Sequence, residues 1–230
     1  MAVETEGPHG LNVSPDGQYL YMTTAHGVPD GKLWKYEAGV DTLVAAPILL
    51  GNFPATLDLT PDGLYAFIVN FNLHGEMVPS TISVVYTPDL VEVDQIATCV
   101  MPHGLRIAPD GLFAYSNCMM DDQMVEIDTR TFEVSRRFSV SKGSEMAIDN
   151  YEVGEVVTGA NGMSQPMSGM SMTHNPTCSP TWVEPSPDGG SLYVACNKGD
   201  EILVVNRETW SLERKFPAGR APYNLGITPD

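Results

Sequence analysis

The chain alternates short apolar runs with clusters of turn residues, and the alternation has the period of strands. GLNV, TLDL, GLRI, TWVEP and NLGI each precede a Pro-Asp corner, and QYLYMTT, LYAFIVN, LFAYSNC and SLYVACN follow four of those corners. The runs are short, rich in β-branched and aromatic residues, and bounded by Gly, Asn, Asp and Pro, which is the pattern of strands. Two further runs complete each unit, for example TISVVYT with LVEVDQIAT, QMVEIDT with FEVSRRFSV, and EILVVNR with SLERKFP. No segment carries the apolar spacing of a helix. The corners are SPDG at 14–17, TPDG at 60–63, APDG at 108–111, SPDGG at 186–190 and TPD at 228–230, at intervals of 46, 48, 78 and 42 residues. In each, Pro presets φ, Asp bonds its own backbone and Gly takes the positive φ.

Four antiparallel strands at this period make the blade of a β-propeller, so the expected fold class is all-β. PHGLNVSPDGQYLYMTT and the stretch from SPDGG at 186 to TPD at 230 resemble the YVTN-repeat propellers, whose units run Pro, strand, Ser-Pro-Asp-Gly, LYV, Asn and a VxVIDxxT-like strand. The resemblance covers nearly the whole chain except 142–178. It touches two catalytic propeller groups: the lactonase type, which shares the Pro-His before the first strand, and the d1-haem domain of nitrite reductases, whose channel-mouth histidines serve the cofactor. Neither group's full residue set occurs here. Blades are expected at 8–53, 54–101, 102–179 and 180–220, with the first strand of a fifth begun in 221–230 and an insertion at 142–178. Such an arc is an incomplete ring. It is expected to be part of a propeller of about seven blades, or half of a ring of about eight made with a second copy. Open blade faces predict self-association.

The corners join the first strand of a unit to its second, so they lie on one face of the disc. The histidines fall on the other. His9 and His103 begin first strands in PHGL, His26 and His74 follow second strands, and His174 lies in the insertion. The residues after the first-strand proline, His9, Ala55, His103, Thr181 and Tyr223, are expected to ring the channel mouth. Arg106, Glu184, Asp58 and Asn12 fall at inner-strand positions and give the channel wall mixed charge.

The insertion GANGMSQPMSGMSMTHNPTCSP at 159–180 carries Met163, Met167, Met170, Met172 and His174. Thioether and imidazole are donors for copper, above all Cu(I). The segment looks like the Met-rich, His-containing stretches of copper-handling proteins of the bacterial periplasm. The expected metal set is these five residues with His9 and His103, and His26, His74, Arg106, Glu184 and Tyr223 are candidates for the mouth or a ligand. The plainer reading is a solvated loop whose methionines rest on the propeller surface. Asp121 and Asp122 read as a Ca²⁺ pair or a solvated turn.

The net charge of −17 favours cations as partners and disfavours nucleic acid. No apolar run is long enough to span a bilayer. The acidic start MAVETEGPHG is not a signal peptide, and a periplasmic or secreted location is expected with the signal lying outside this sequence. Cys99, Cys118, Cys178 and Cys196 match no zinc spacing, and all three pairings stay open. No GxSxG, HExxH, phosphate loop, GxGxxG or CxxCH is present. The leading expectation is therefore a binding scaffold with a copper-type site in the Met/His loop. The alternatives are a propeller enzyme at the same mouth, with lactone hydrolysis first among reactions, and a protein-interaction platform without metal.

Overall fold

In the computed structural model the described residues are 6–26, 30–40, 42–73, 75–148 and 175–228. They form an all-β array of antiparallel sheets. The first sheet holds β1 (Gly7–Val13), β2 (Tyr19–Ala25) and β3 (Asp30–Glu37), with β4 (Thr42–Leu43) and β5 (Ile48–Asn52) both paired to β3. The second runs β6 (Pro54–Leu59), β7 (Tyr65–Asn70), β8 (Pro79–Tyr86), β9 (Val91–Val100). The third set is β10 (Pro102–Ile107), β11 (Phe113–Cys118), β12 (Gln123–Asp128), β13 (Glu133–Ser139), and the fourth is β15 (Pro180–Pro185), β16 (Ser191–Cys196), β17 (Glu201–Asn206), β18 (Ser211–Pro217).

These last two sets are not separate sheets. A short strand from the insertion, β14 (Ser144–Met146), pairs with β13 over three residues and touches β18 at Ser144–Ser211, so one nine-stranded sheet results. Glu145 fixes this strand through a two-pronged ion pair with Arg136, at 2.8 and 3.0 Å. The insertion was expected to be loop throughout. Residues 221–228 likewise dock without strand pairing where a fifth first strand was expected.

Alternation along the strands explains the packing. In β7, Ala66 and Ile68 face the first sheet with Tyr21 and Leu33, while Phe67 and Val69 face the third set with Leu105 and Val125. Both faces of a middle strand are buried, so it reads as a continuous apolar run. A third apolar layer, with Tyr115, Phe138, Val194 and Trp210, joins the third and fourth sets. Among the described residues the first sheet is covered on one face only: Leu11 is 63% exposed, against 2% for Leu57 and 0% for Leu105 at the matching positions.

Two disulfides close the open question of pairing: Cys99 bonds Cys118 and Cys178 bonds Cys196. They are the same device used twice. Each ties the residues just before an innermost strand to the end of the strand beside it, since Pro102 pairs with Cys118 and Pro180 with Cys196.

Candidate functional site at the channel mouth

The strand register separates the two ends of every first strand. In β1, Val13 pairs with Leu20 beside the Pro-Asp-Gly corner, and Pro8 pairs with Thr24 at the far end. The corner glycines 17, 63, 111 and 189 all have φ of +72°. His9 and His103 therefore stand on the end remote from the corners.

Each innermost strand breaks register at the same place: between Pro8 and Leu11, Pro54 and Leu57, Pro102 and Leu105, and Pro180 and Trp182. Such a bulge re-aims the side chain inside it. The residues so placed are His9, Ala55, His103 and Thr181. Glycine follows the two histidines because the next blade is too close for a side chain. A Cβ on Gly10 would sit 2.0 Å from the Ala55 carbonyl oxygen, and one on Gly104 2.5 Å from that of Thr181.

The two histidines then diverge. His103 is 2% exposed. Its Nδ1 lies 2.9 Å from the Thr181 carbonyl and its Nε2 2.6 Å from the Tyr223 hydroxyl. A carbonyl only accepts, so Nδ1 carries the proton and Nε2 accepts from Tyr223. Burial pushes the His103 pKa down to about 4. Thr181 Oγ1 also donates to the Tyr223 carbonyl at 2.8 Å, which docks residues 222–223 on the mouth.

His9 is exposed. The carbonyl that would match Thr181, that of Ala55, is taken by the Thr23 hydroxyl at 2.9 Å, and Thr23 in turn accepts from Gly10 N–H at 2.8 Å. His9 instead neighbours His26, with ring centres 6.2 Å apart, and both rings meet Phe53 edge-on, at 5.1 and 4.6 Å. Burial, followed by the nearby His26 charge, lowers the His9 pKa. Phe53 touches Phe71, and Phe71 touches His103. Met101 and Met119 pack on this floor. The mouth is thus one aromatic row, exposed at His9 and closed at His103.

Phe53, Phe71 and Met101 were not singled out by sequence reasoning, because they read as core, whereas Met119 was expected on this face. The usable signal was position: Phe53 and Met101 each precede a first-strand proline and hold φ of +54°.

Below the mouth lies a polar belt. Asp58 accepts from Asn12 at 2.7 Å, Ile107 N–H at 2.8 Å and Leu59 N–H at 3.0 Å, linking three blades, and burial raises its pKa. Arg106 pairs with Glu184 at 3.2 Å and lies over the Trp182 ring. These channel-wall groups bind each other.

The end of the insertion is anchored here. Asp122, read as a calcium ligand or solvated turn, is buried and accepts from Thr177 N–H and Oγ1, Cys178 N–H and Ser179 N–H at 2.6 to 3.1 Å. With Cys178–Cys196 it pins residues 177–179 beside Thr181. Met163, Met167, Met170, Met172, His174 and His74 lie outside the described residues. Among the described residues no group of three or more His, Cys, Asp or Glu is placed to hold a metal.

Comparison with known proteins yields the fold. No family model and no curated protein matches the sequence. Among solved structures, Kuenenia stuttgartiensis hydrazine synthase superposes with TM-score 0.69 at 20% identity over 95% of this chain and 52% of that one. A functionally unknown protein from Desulfotomaculum acetoxidans gives 0.63 at 15%, over 93% and 57%. The dihydro-heme d1 dehydrogenase NirN gives 0.59 at 17%, over 93% and 38%. The chain spans about half the length of the first two. The class is therefore a β-propeller arc. At these identities the likeness speaks of fold alone, and the YVTN likeness stays a resemblance of sequence. No described helix is long and apolar enough to cross a membrane.

Proposed function

We propose that this chain is part of an extracytoplasmic propeller that binds a soft metal ion, copper first, at the mouth face. The observation that carries the reading is convergence. The Met/His segment ends at residues pinned beside Thr181 by Asp122 and Cys178–Cys196, on the face where His9 is exposed. Two disulfides support an oxidising compartment, and the charge of −17 supports a cation. The donors in the segment are Met163, Met167, Met170, Met172 and His174. His103 leaves this set, because both its ring nitrogens already have partners.

The hydrolase reading is weaker for the same reason: the His103 lone pair that would act as base accepts from Tyr223. Self-association is supported by Leu11 and Val13, exposed on the uncovered face of β1. Sedimentation of Leu11→Glu beside the parent chain tests it, and equal masses count against it.

Cu(I), supplied as its acetonitrile complex without thiols, tests the main proposal on untagged protein. Uptake should fall by at least one equivalent when Met163, Met167, Met170 and Met172 are changed to Leu. Unchanged uptake, or none in the parent, rejects the copper reading.

A further inference from the structure

We propose that the cavity between the first and second sheets, on the face of the Pro-Asp-Gly corners, binds a small organic monocarboxylate with Lys35 as its charge partner. This site lies at the opposite end of the blades from His9 and His103 and needs no metal.

Lys35 lies on β3 and is 6% exposed. An ammonium carries three N–H donors, and burying it costs free energy unless they are met. Nζ donates to the Thr87 carbonyl at 2.9 Å, just after β8 of the second sheet. The rings of Tyr19 and Tyr21 flank it, with centres 4.2 and 5.6 Å away. Asp16 attracts it electrostatically, while Asp16 Oδ1 is held by the Ser14 hydroxyl and the Gln18 N–H. Among the described residues no carboxylate forms an ion pair with Lys35, and Thr87 supplies its hydrogen-bond acceptor. Lys35 lines a cavity of about 600 Å³, which is the size of a small-ligand site.

The third and fourth sets meet in the same way, and there the protein closes its own charges. Tyr115 pairs with Glu126 as Tyr21 pairs with Lys35. Glu126 is buried and accepts from the Tyr115 hydroxyl at 3.0 Å and from Ser135 Oγ at 2.9 Å. Arg207 donates to the same Tyr115 oxygen at 2.6 Å and pairs with Asp110 at 2.7 Å. Thr87 stands where Arg207 stands, since their backbone N–H groups donate to the matching carbonyls of Leu64 and Gly190. Thr87 brings no charge, so the Lys35 donors are left for a ligand. The walls set its class. Lys35 is the one cation lining the cavity among the described residues, Pro15, Pro61 and Tyr19 offer apolar surface, and Asp16 and Asp62 stand at the corners. One positive charge beside two carboxylates suits a singly charged anion with an apolar body and repels phosphate or sulfate.

The test uses the full chain with benzoate as the probe, and benzyl alcohol and inorganic phosphate beside it. Lysine ε-carbon NMR signals are followed, assigned by replacing Lys32, Lys142, Lys198 and Lys215 one at a time, which leaves Lys35. Benzoate should move the Lys35 signal saturably and leave the other four in place. Benzyl alcohol and phosphate should bind at least about tenfold more weakly, and Lys35→Met should weaken benzoate by at least about tenfold, as loss of one charge-assisted contact implies. No saturable movement of the Lys35 signal overturns the site. Phosphate or benzyl alcohol binding as well as benzoate overturns the ligand class, and unchanged benzoate binding in a folded Lys35→Met chain overturns the role of Lys35. Where Lys35→Met does not fold, the Lys35 signal of the parent decides. Cu(I) uptake is read separately on the same protein, so either site can fail without the other.

Discussion

His9 and His103 occupy the same place in two copies of one motif, Pro-His-Gly-Leu, inside the same bulge, and they end in opposite chemical states. His103 is buried, neutral and bonded at both nitrogens. His9 is exposed and faces another imidazole. The difference is made by neighbours. In both units the next blade offers a backbone carbonyl at the bulge. In the third unit the histidine takes it; in the first, Thr23 takes it and the histidine is left open. The residue matching Thr23 in the third unit is Asn117, as the strand registers show. A repeat sets backbone positions, and a side chain on the adjacent strand of the same blade decides which of them stay exposed.

The largest expected effect separates the two histidines by stability. His103→Ala removes the partner of the Thr181 carbonyl and the Tyr223 hydroxyl and leaves a hole in a packed site, a loss of about 3 kcal/mol. His9→Ala should stay within about 0.5 kcal/mol, as exposed substitutions do. Urea unfolding of the two variants decides this, and equal losses would mean that the two positions are not chemically distinct.

Acid sharpens the same contrast. In the unfolded chain His103 takes a proton near its ordinary value of 6.5, whereas folded it does so only near 4. Between these values the unfolded state binds more protons, so stability is full above about pH 6.5 and falls as pH drops toward 4, by up to about 3 kcal/mol. The difference between parent and His103→Gln unfolding energies, measured from pH 8 to pH 4, should show this slope. A flat difference would mean that the buried ring protonates freely. Next in size is Thr23→Val, which strips Gly10 N–H and Ala55 C=O of their partner. A loss of about 1–2 kcal/mol is expected by the same unfolding assay.

What could be read in advance follows the range of the interactions. The Pro-Asp-Gly corners and strand periods are local, and from them came the antiparallel units and the placing of His9 and His103 away from the corners. The wall residues Asn12, Asp58, Arg106 and Glu184 followed from alternation, though not that they bind each other. Pairing of the four cysteines needed distances that spacing does not contain. β14 escaped notice because three residues within a polar insertion carry no period. The fate of His103 was hidden most deeply. Its partners lie 78 and 120 residues away, so the sequence around it looks the same as that around His9. Asp122 was misjudged for a related reason: a pair of acids reads as solvated until the backbone that donates to it, about fifty-five residues on, is brought beside it.

The smallest predicted change isolates a single hydroxyl. Tyr223→Phe keeps the ring that packs edge-on against His103 and removes only the donor to Nε2. The loss should be about 1 kcal/mol, the usual net value of one hydrogen bond. The more telling readout is the imidazole. Burial is the main cause of the low His103 pKa; the Tyr223 hydroxyl adds to it by occupying the lone pair of the neutral ring, so without it the pKa should rise above about 4 while staying below the ordinary range. Proton NMR titration of the imidazole resolves that shift independently of stability. The Thr181 carbonyl still binds Nδ1–H in this variant, so the ring should keep its tautomer while its pKa moves. A pKa that does not move would assign the depression to burial alone, and would leave Tyr223 as an anchor for residues 222–223 with no electronic part in the state of His103.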